Sequence, residues 1–295
     1  MIVTLKNEFL TVEIEDVGAQ LASITDKDGT QYLWQGDPEI WPRRAPLLFP
    51  VIGRLKDSQY MLGEETHTIP THGFCREALF SVEQHSDVSV SFHLSDSPET
   101  LAVYPFAFGL TITYTLEKNR LIKVHKVENC SDREMYFEVG GHDGFRAPLA
   151  AGEKMDDYAI RIPGLDAIQF YPMNADLMIV PKDKVYPLEG GRIPLKPSAY
   201  GQDTIILGEL PQNRAVLVDG QDRPRVTLEF DDFPYLGIWT QAKDYDTNYV
   251  CIEPWTTLPD ATFVGRGLKD KAGICTLAPG GSKTLTYTTR LDELE

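Results

Sequence analysis

The chain has no run of basic residues to set against a net charge of −16, which comes from 28 Lys and Arg against 44 Asp and Glu in 295 residues. Nucleic-acid binding depends on Lys and Arg neutralising phosphates, so neither that nor docking on an anionic membrane is expected. No apolar stretch approaches the roughly 20 residues needed to cross a bilayer. Lys6 and Glu8 put charges within residues 1–8, where an export signal needs an apolar segment. Cysteine is scarce: Cys75, Cys130, Cys251 and Cys275 lie far apart with no C-x-x-C spacing. They are expected to be reduced thiols in a cytoplasmic protein, not a disulfide frame or a zinc site. No repeat recurs at a fixed period, which disfavours a solenoid or propeller. No linker or shift of composition divides residues 1–295, a length that a single all-β domain often reaches.

What the chain does have is strands. Residues 110–116, Leu-Thr-Ile-Thr-Tyr-Thr-Leu, alternate apolar and polar with period two, which gathers the large side chains on one face of a sheet. Residues 88–94 do the same, with Val88, Val90, Phe92 and Leu94 on one side. Shorter alternations occur at 10–14, 122–124, 215–218, 226–230 and 285–289. Turn-forming clusters such as Asp26-Lys27-Asp28-Gly29, Ser95-Asp96-Ser97-Pro98 and Pro279-Gly280-Gly281 separate them. Many short strands punctuated by Gly and Pro predict an all-β fold, a large antiparallel sandwich or barrel. A single helical turn is expected at 101–104, interrupted by Pro105. The proline-rich stretch 176–200 reads as long connections with short edge strands.

Three short runs carry candidate chemistry: His72-Gly73-Phe74, Gly140-Gly141-His142 and Glu253-Pro254-Trp255. A carboxylate and imidazoles are the usual partners for proton transfer near neutral pH, because their pKa values tune toward the operating range. The three runs are widely separated in sequence, so only the fold can bring them together. Glu253 follows the apolar run Tyr249-Val250-Cys251-Ile252 and precedes Pro-Trp, an unusual setting for an incidental surface charge.

The order of these runs, with the segment 41–55 (Trp-Pro-Arg-Arg-Ala-Pro-Leu-Leu-Phe-Pro-Val-Ile-Gly-Arg-Leu), resembles the aldose 1-epimerase (galactose mutarotase) superfamily, most of all its LacX-like bacterial branch. Val17-Gly18-Ala19-Gln20-Leu21 and the closing Leu277-Ala278-Pro279-Gly280-Gly281-Ser282 also fit, so the resemblance covers nearly the whole chain. It implies a mutarotase-type β-supersandwich whose open cleft binds a monosaccharide. It also implies Glu253 as the base on the C1 hydroxyl, His142 as the acid on the ring oxygen and His72 as a second, polarising His. Arg54 and Asp203 would contact sugar hydroxyls, and Trp255 beside Glu253 is a candidate stacking platform. Neither bond breaking nor proton transfer on a hemiacetal demands a metal or nicotinamide, so no cofactor is expected. The implied partner is a monosaccharide, and the chain is expected to be a monomer or homodimer.

In the family the second His is usually followed by Pro, whereas here Asp143-Gly144 follows. Two readings of this departure stay open: a carboxylate beside His142 would favour the imidazolium, which suits an acid, or the pocket would be one that has been repurposed. A non-catalytic sugar-binding or regulatory protein using the same cleft is the alternative in another class. A hexose-6-phosphate mutarotase is the alternative within the enzyme class. Neutral sugars are expected to be preferred, since only Arg54 and Arg76 are placed near the site and a phosphate wants a cluster of cations. Arg43-Arg44 reads as a solvated pair at the rim. His67 and His72 are poorly spaced for a metal pair. His85, His93 and His125 read as strand or loop residues without special neighbours, and Cys75 as a bystander.

Overall fold

The computed structural model describes residues 1–182, 184–241 and 247–292. Its centre is a nine-stranded antiparallel sheet. In spatial order the strands are Arg192–Pro194, Ala159–Arg161, Arg214–Val218, Pro224–Glu229, Ser282–Leu291, Arg120–Asn129, Phe108–Glu117, Ser89–Ser95 and Ser81–His85. A four-stranded sheet, ordered Asp143–Arg146, Tyr249–Trp255, Tyr235–Trp239 and Thr204–Gly208, carries the candidate residues. Three N-terminal strands, Ile2–Lys6, Leu10–Glu15 and Gln20–Asp26, form a meander.

The alternation read from the sequence is the burial pattern of these strands. In Phe108–Glu117, Leu110, Ile112 and Tyr114 are fully buried while Thr111, Thr113 and Thr115 are only half-buried. On the outer face of that strand, Ser89 pairs with Thr115 and Ser91 with Thr113 through their hydroxyls at 3.0 and 2.8 Å. Val88 departs from the expected face, because it lies just before Ser89–Ser95 and remains exposed.

The one α-helix among the described residues is Pro98–Val103, earlier by one turn than the segment expected to be helical. Ser97 caps it by accepting the Thr100 N–H, Pro98 supplies the first-turn φ, and the chain leaves before Pro105. The stretch 176–200 is largely connection. It includes the short strand Tyr186–Pro187 and the edge strand Arg192–Pro194, and Asp183 lies outside the described residues. His125, expected to be unremarkable, is fully buried and stacks on Tyr287 at 5.5 Å.

Candidate active site

The floor of the site is the strand Tyr249–Trp255, buried along its whole length between Asp143–Arg146 and Tyr235–Trp239. Strand period two sends Cys251, Glu253 and Trp255 off the same face. Gly237 sits opposite Glu253 in the ladder, so no neighbouring side chain covers the carboxylate from that strand.

His142 arrives just ahead of Asp143–Arg146. Gly140 and Gly141 pin the approach: Gly140 exchanges hydrogen bonds with Leu48, and the Gly141 N–H donates to Pro254 O at 3.1 Å. Gly141 has a steric reason to be glycine, since a Cβ there would lie 2.3 Å from the Tyr287 hydroxyl oxygen. The result places His142 Nε2 3.3 Å from Glu253 Oε2, both groups almost wholly buried. The His142 ring is walled by Trp41, stacked at 5.2 Å, and by the edge of Trp239 at 5.5 Å. Its Nδ1 and the Glu253 Oε2 atom make no hydrogen bond among the described residues. Buried polar atoms of this kind are normally satisfied, which sets these two apart.

His72 enters from a loop and holds φ = +64°, a region that side chains rarely adopt. Its N–H donates to Gly53 O at 2.9 Å, and its Nδ1 accepts the Gly53 N–H at 3.1 Å. With Nδ1 occupied as an acceptor, the neutral ring carries its proton on Nε2 and is a donor there. The His72 and His142 rings meet edge to face at 5.5 Å.

A cavity of about 380 Å³ opens above these groups. Glu253, His142, His72, Arg54, Asp203 and Trp255 all line it, so the structure brings the six residues picked out from the sequence to one place. Trp41, Trp239, Arg43, Arg76, Met173 and Thr204 also line it and had not been singled out as site residues, apart from Arg76's expected nearness. Arg43, expected at most on a solvated rim, reaches the cavity and forms an ion pair with Glu77. Arg76 Nε lies 3.9 Å from the same Glu77 oxygen. Arg44 turns away to Glu15 at 3.1 Å. His67 pairs with Glu65 at 3.5 Å and stacks on Tyr60, apart from the cavity lining.

Burial governs the electrostatics. It drives the Glu253 carboxyl well above the ordinary carboxylate range, and the nearby Asp203 charge adds to the rise. Burial likewise lowers His142 to about 3, with Arg76 and Arg43 pressing the same way. His72 is lowered well below its usual value by burial, by His142 and by the same two arginines. Asp143 does not do what its adjacency suggested. The pleat turns it to the opposite side of the strand, where it accepts the Tyr287 hydroxyl at 2.7 Å and faces Lys123 Nζ at 3.4 Å. Its charge is compensated in the core behind the site, so the expected rise in the pKa of His142 is absent.

The aldose 1-epimerase family model matches residues 1–289, and the chain belongs to that family. It is 31% identical to the chromosomal LacX protein of Lactococcus lactis subsp. lactis, across 97% of this chain and 98% of LacX. Among solved structures it is similar to a galactose mutarotase related enzyme from Lactobacillus acidophilus, with a TM-score of 0.93 and 33% identity. That match covers 100% of this chain and 98% of the other. A galactose mutarotase-like protein from Lactobacillus casei ATCC 334 gives a TM-score of 0.88 and 32% identity, covering 99% and 100%. The mutarotase-type β architecture is thus shared along the whole chain.

Proposed function

We propose that this protein is an aldose 1-epimerase that interconverts the α and β anomers of a monosaccharide, acting as one unit over residues 1–295 in the cytoplasm. The observation that carries the reading is the contact of Glu253 and His142 at the floor of a cavity of small-molecule size, with His72 beside them. Mutarotation needs one group to take the proton of the C1 hydroxyl and another to protonate the ring oxygen as the C1–O5 bond breaks. The open-chain aldehyde then turns about its C1–C2 bond and recloses, with both proton transfers reversed.

Glu253 serves as the base at O1 and His142 as the acid at O5. Burial favours protonated Glu253 beside neutral His142, so the shared proton first passes from Glu253 to His142 across their 3.3 Å contact, giving the carboxylate and imidazolium that the reaction uses; the pair's proton count is unchanged over a complete turnover. His72, fixed by Gly53, donates from Nε2 to a sugar oxygen without joining the proton exchange. Arg54 and Asp203 hold ring hydroxyls, and Trp255 offers an apolar face. General acid–base help of this kind is worth roughly two to four orders of magnitude in rate.

A second reading, a phosphorylated aldose as substrate, has support that the sequence did not supply. Arg43 joins Arg54 and Arg76 in the cavity wall, which removes the ground for expecting neutral sugars. An anion held by Arg43 and Arg76 would also relieve their pressure on the two imidazoles. Proton NMR anomer exchange on glucose, galactose and their 6-phosphates tests both readings. Exchange on the free sugars carries the first, and turnover confined to the phosphates carries the second. Tight sugar binding without exchange on any of them replaces both with a binding protein.

A further inference from the structure

The proton-transfer pair has a third neighbour that mutarotation does not use. Cys251 precedes Glu253 by two residues on one strand, so its thiol leaves the strand on the same face as the carboxylate, fully buried and outside the cavity lining. His142, Cys251 and Glu253 each offer one ligand atom, and all three atoms lie within 4.8 Å of one another. All three residues are buried, and the Glu253 Oε2 atom has no hydrogen-bond partner among the described residues. The cysteines were read from sequence as having no metal role, because no two share a ligand spacing. The fold supplies instead one thiol and one carboxylate from the strand Tyr249–Trp255, and one imidazole from the residue just ahead of its neighbour Asp143–Arg146.

We propose that His142 Nε2, Cys251 Sγ and Glu253 Oε2 form a binding site for a thiophilic divalent cation such as Zn²⁺, and that occupancy reversibly switches off the proton-transfer pair. One sulfur, one nitrogen and one oxygen ligand suit zinc, which commonly takes three protein ligands and leaves a fourth position open. Ligand distances of about 2.0–2.3 Å put the ligand atoms of a tetrahedral ion about 3.3–3.8 Å apart. The His142–Glu253 contact at 3.3 Å already has that spacing. The thiol closes the set by an approach of about 1 Å, measured against the same ligand distances. His142 and Glu253 both line the cavity, from which water or a sugar oxygen would complete the shell.

Binding is an acid–base exchange with no electron transfer. The Cys251 thiol and the Glu253 carboxyl release their protons to solvent as the S–Zn and O–Zn bonds form, and His142 donates its Nε2 lone pair. With those lone pairs engaged, Glu253 cannot accept the O1 proton and His142 cannot carry one to O5. Hard cations such as Mg²⁺ and Ca²⁺ prefer oxygen ligands and are excluded by the donor set.

The inhibition depends on the mutarotase reading, whereas the binding does not, and the experiment separates them. Binding is read with Cd²⁺ through the thiolate-to-metal charge-transfer band in the ultraviolet, on a Cys130→Ser background because Cys130 is an exposed free thiol. The expected result is a saturable one-equivalent band that Cys251→Ser abolishes and that Glu253→Gln weakens, with proton release in weakly buffered solution. Anomer exchange is then followed with added Zn²⁺. Zn²⁺ should inhibit and a chelator should restore activity. Cys251→Ser should keep its uninhibited turnover while needing about tenfold or more Zn²⁺ for half-inhibition, since loss of even an outer-shell partner costs about 10–100-fold in metal affinity. A Cd²⁺ band that survives Cys251→Ser, or no band at all, overturns the site. A band with unchanged exchange under saturating Zn²⁺ overturns the switch and leaves the site. Absence of exchange in the metal-free protein refutes the mutarotase reading instead.

Discussion

Glu253 shows how one side chain is tuned by where a strand puts it. It is nearly sealed, faces an Asp, and has a neutralised imidazole as its nearest titratable neighbour. Gln has the same shape and still hydrogen-bonds the C1 hydroxyl, but it cannot accept a proton. Glu253→Gln is therefore expected to lower kcat for anomer exchange by about 10²–10⁴ with little change in KM, the pattern of an interaction made in the transition state. His142→Asn should behave alike. The double variant should fall far short of the summed losses, because both residues serve one proton relay. Exchange by proton NMR at several sugar concentrations reads this, and a Glu253→Gln protein with undiminished kcat would remove the base from the mechanism.

At the scale of elements, the site depends on the pleat of Asp143–Arg146. His142 faces the cavity, while Asp143 faces Lys123 and Tyr287 on the central strands Arg120–Asn129 and Ser282–Leu291. A buried ion pair stripped of one partner leaves an uncompensated charge at a cost of about 3–5 kcal/mol. Lys123→Met should therefore destabilise the protein by that order in urea unfolding. Lys123→Met with Asp143→Asn should recover much of the loss, and a double-variant loss equal to the sum of the two single losses would show that the pair carries no coupling. Gly141→Ala acts on the same joint from the other side, since its methyl would have to displace the Tyr287 hydroxyl. Overpacking of this kind costs about 1–3 kcal/mol. It should also cut turnover through a displaced His142, and a variant with wild-type stability and exchange would show that the strand approach tolerates the shift.

For the molecule as a whole, acidity has a structural limit as well as a compositional one. Asp219 lies in the turn between Arg214–Val218 and Pro224–Glu229, two neighbours in the nine-stranded sheet. Burial alone would raise its pKa. The Gln221 and Arg223 N–H groups, at 2.8 and 3.1 Å, and the Arg223 guanidinium overcome that and hold it below the usual value. A carboxylate with a depressed folded pKa adds stability above its unfolded value of about 3.9, and that stability is lost as the pH falls through the lower, folded value. Asp219→Asn should lower the melting temperature at pH 7 and make stability less sensitive to acid below about pH 4. Parallel pH–stability curves for wild type and variant would exclude Asp219 as a contributor.

The sequence by itself determined the strand architecture, because in a sheet with one covered face the period-two pattern is itself the record of burial. It also marked out His72, His142 and Glu253 through the glycines, proline and aromatics around them. Arg54, Asp203 and Trp255 came with the family resemblance, and all six line one cavity. Only the tertiary structure decided what surrounds them. Trp239 reaches the cavity from the strand paired with Tyr249–Trp255, and Trp41 and Arg43 from a loop far away in sequence, and no local pattern marks a contact made through space. Period two could have told that Asp143 points away from its neighbour His142, but not that Lys123 and Tyr287 would be waiting there. The direction of the pKa shifts was likewise hidden, since desolvation is a property of the packed interior and not of the chain. Cys251 is the same case: two residues from Glu253 in sequence, it becomes a candidate ligand only when the adjacent strand delivers His142 to its face.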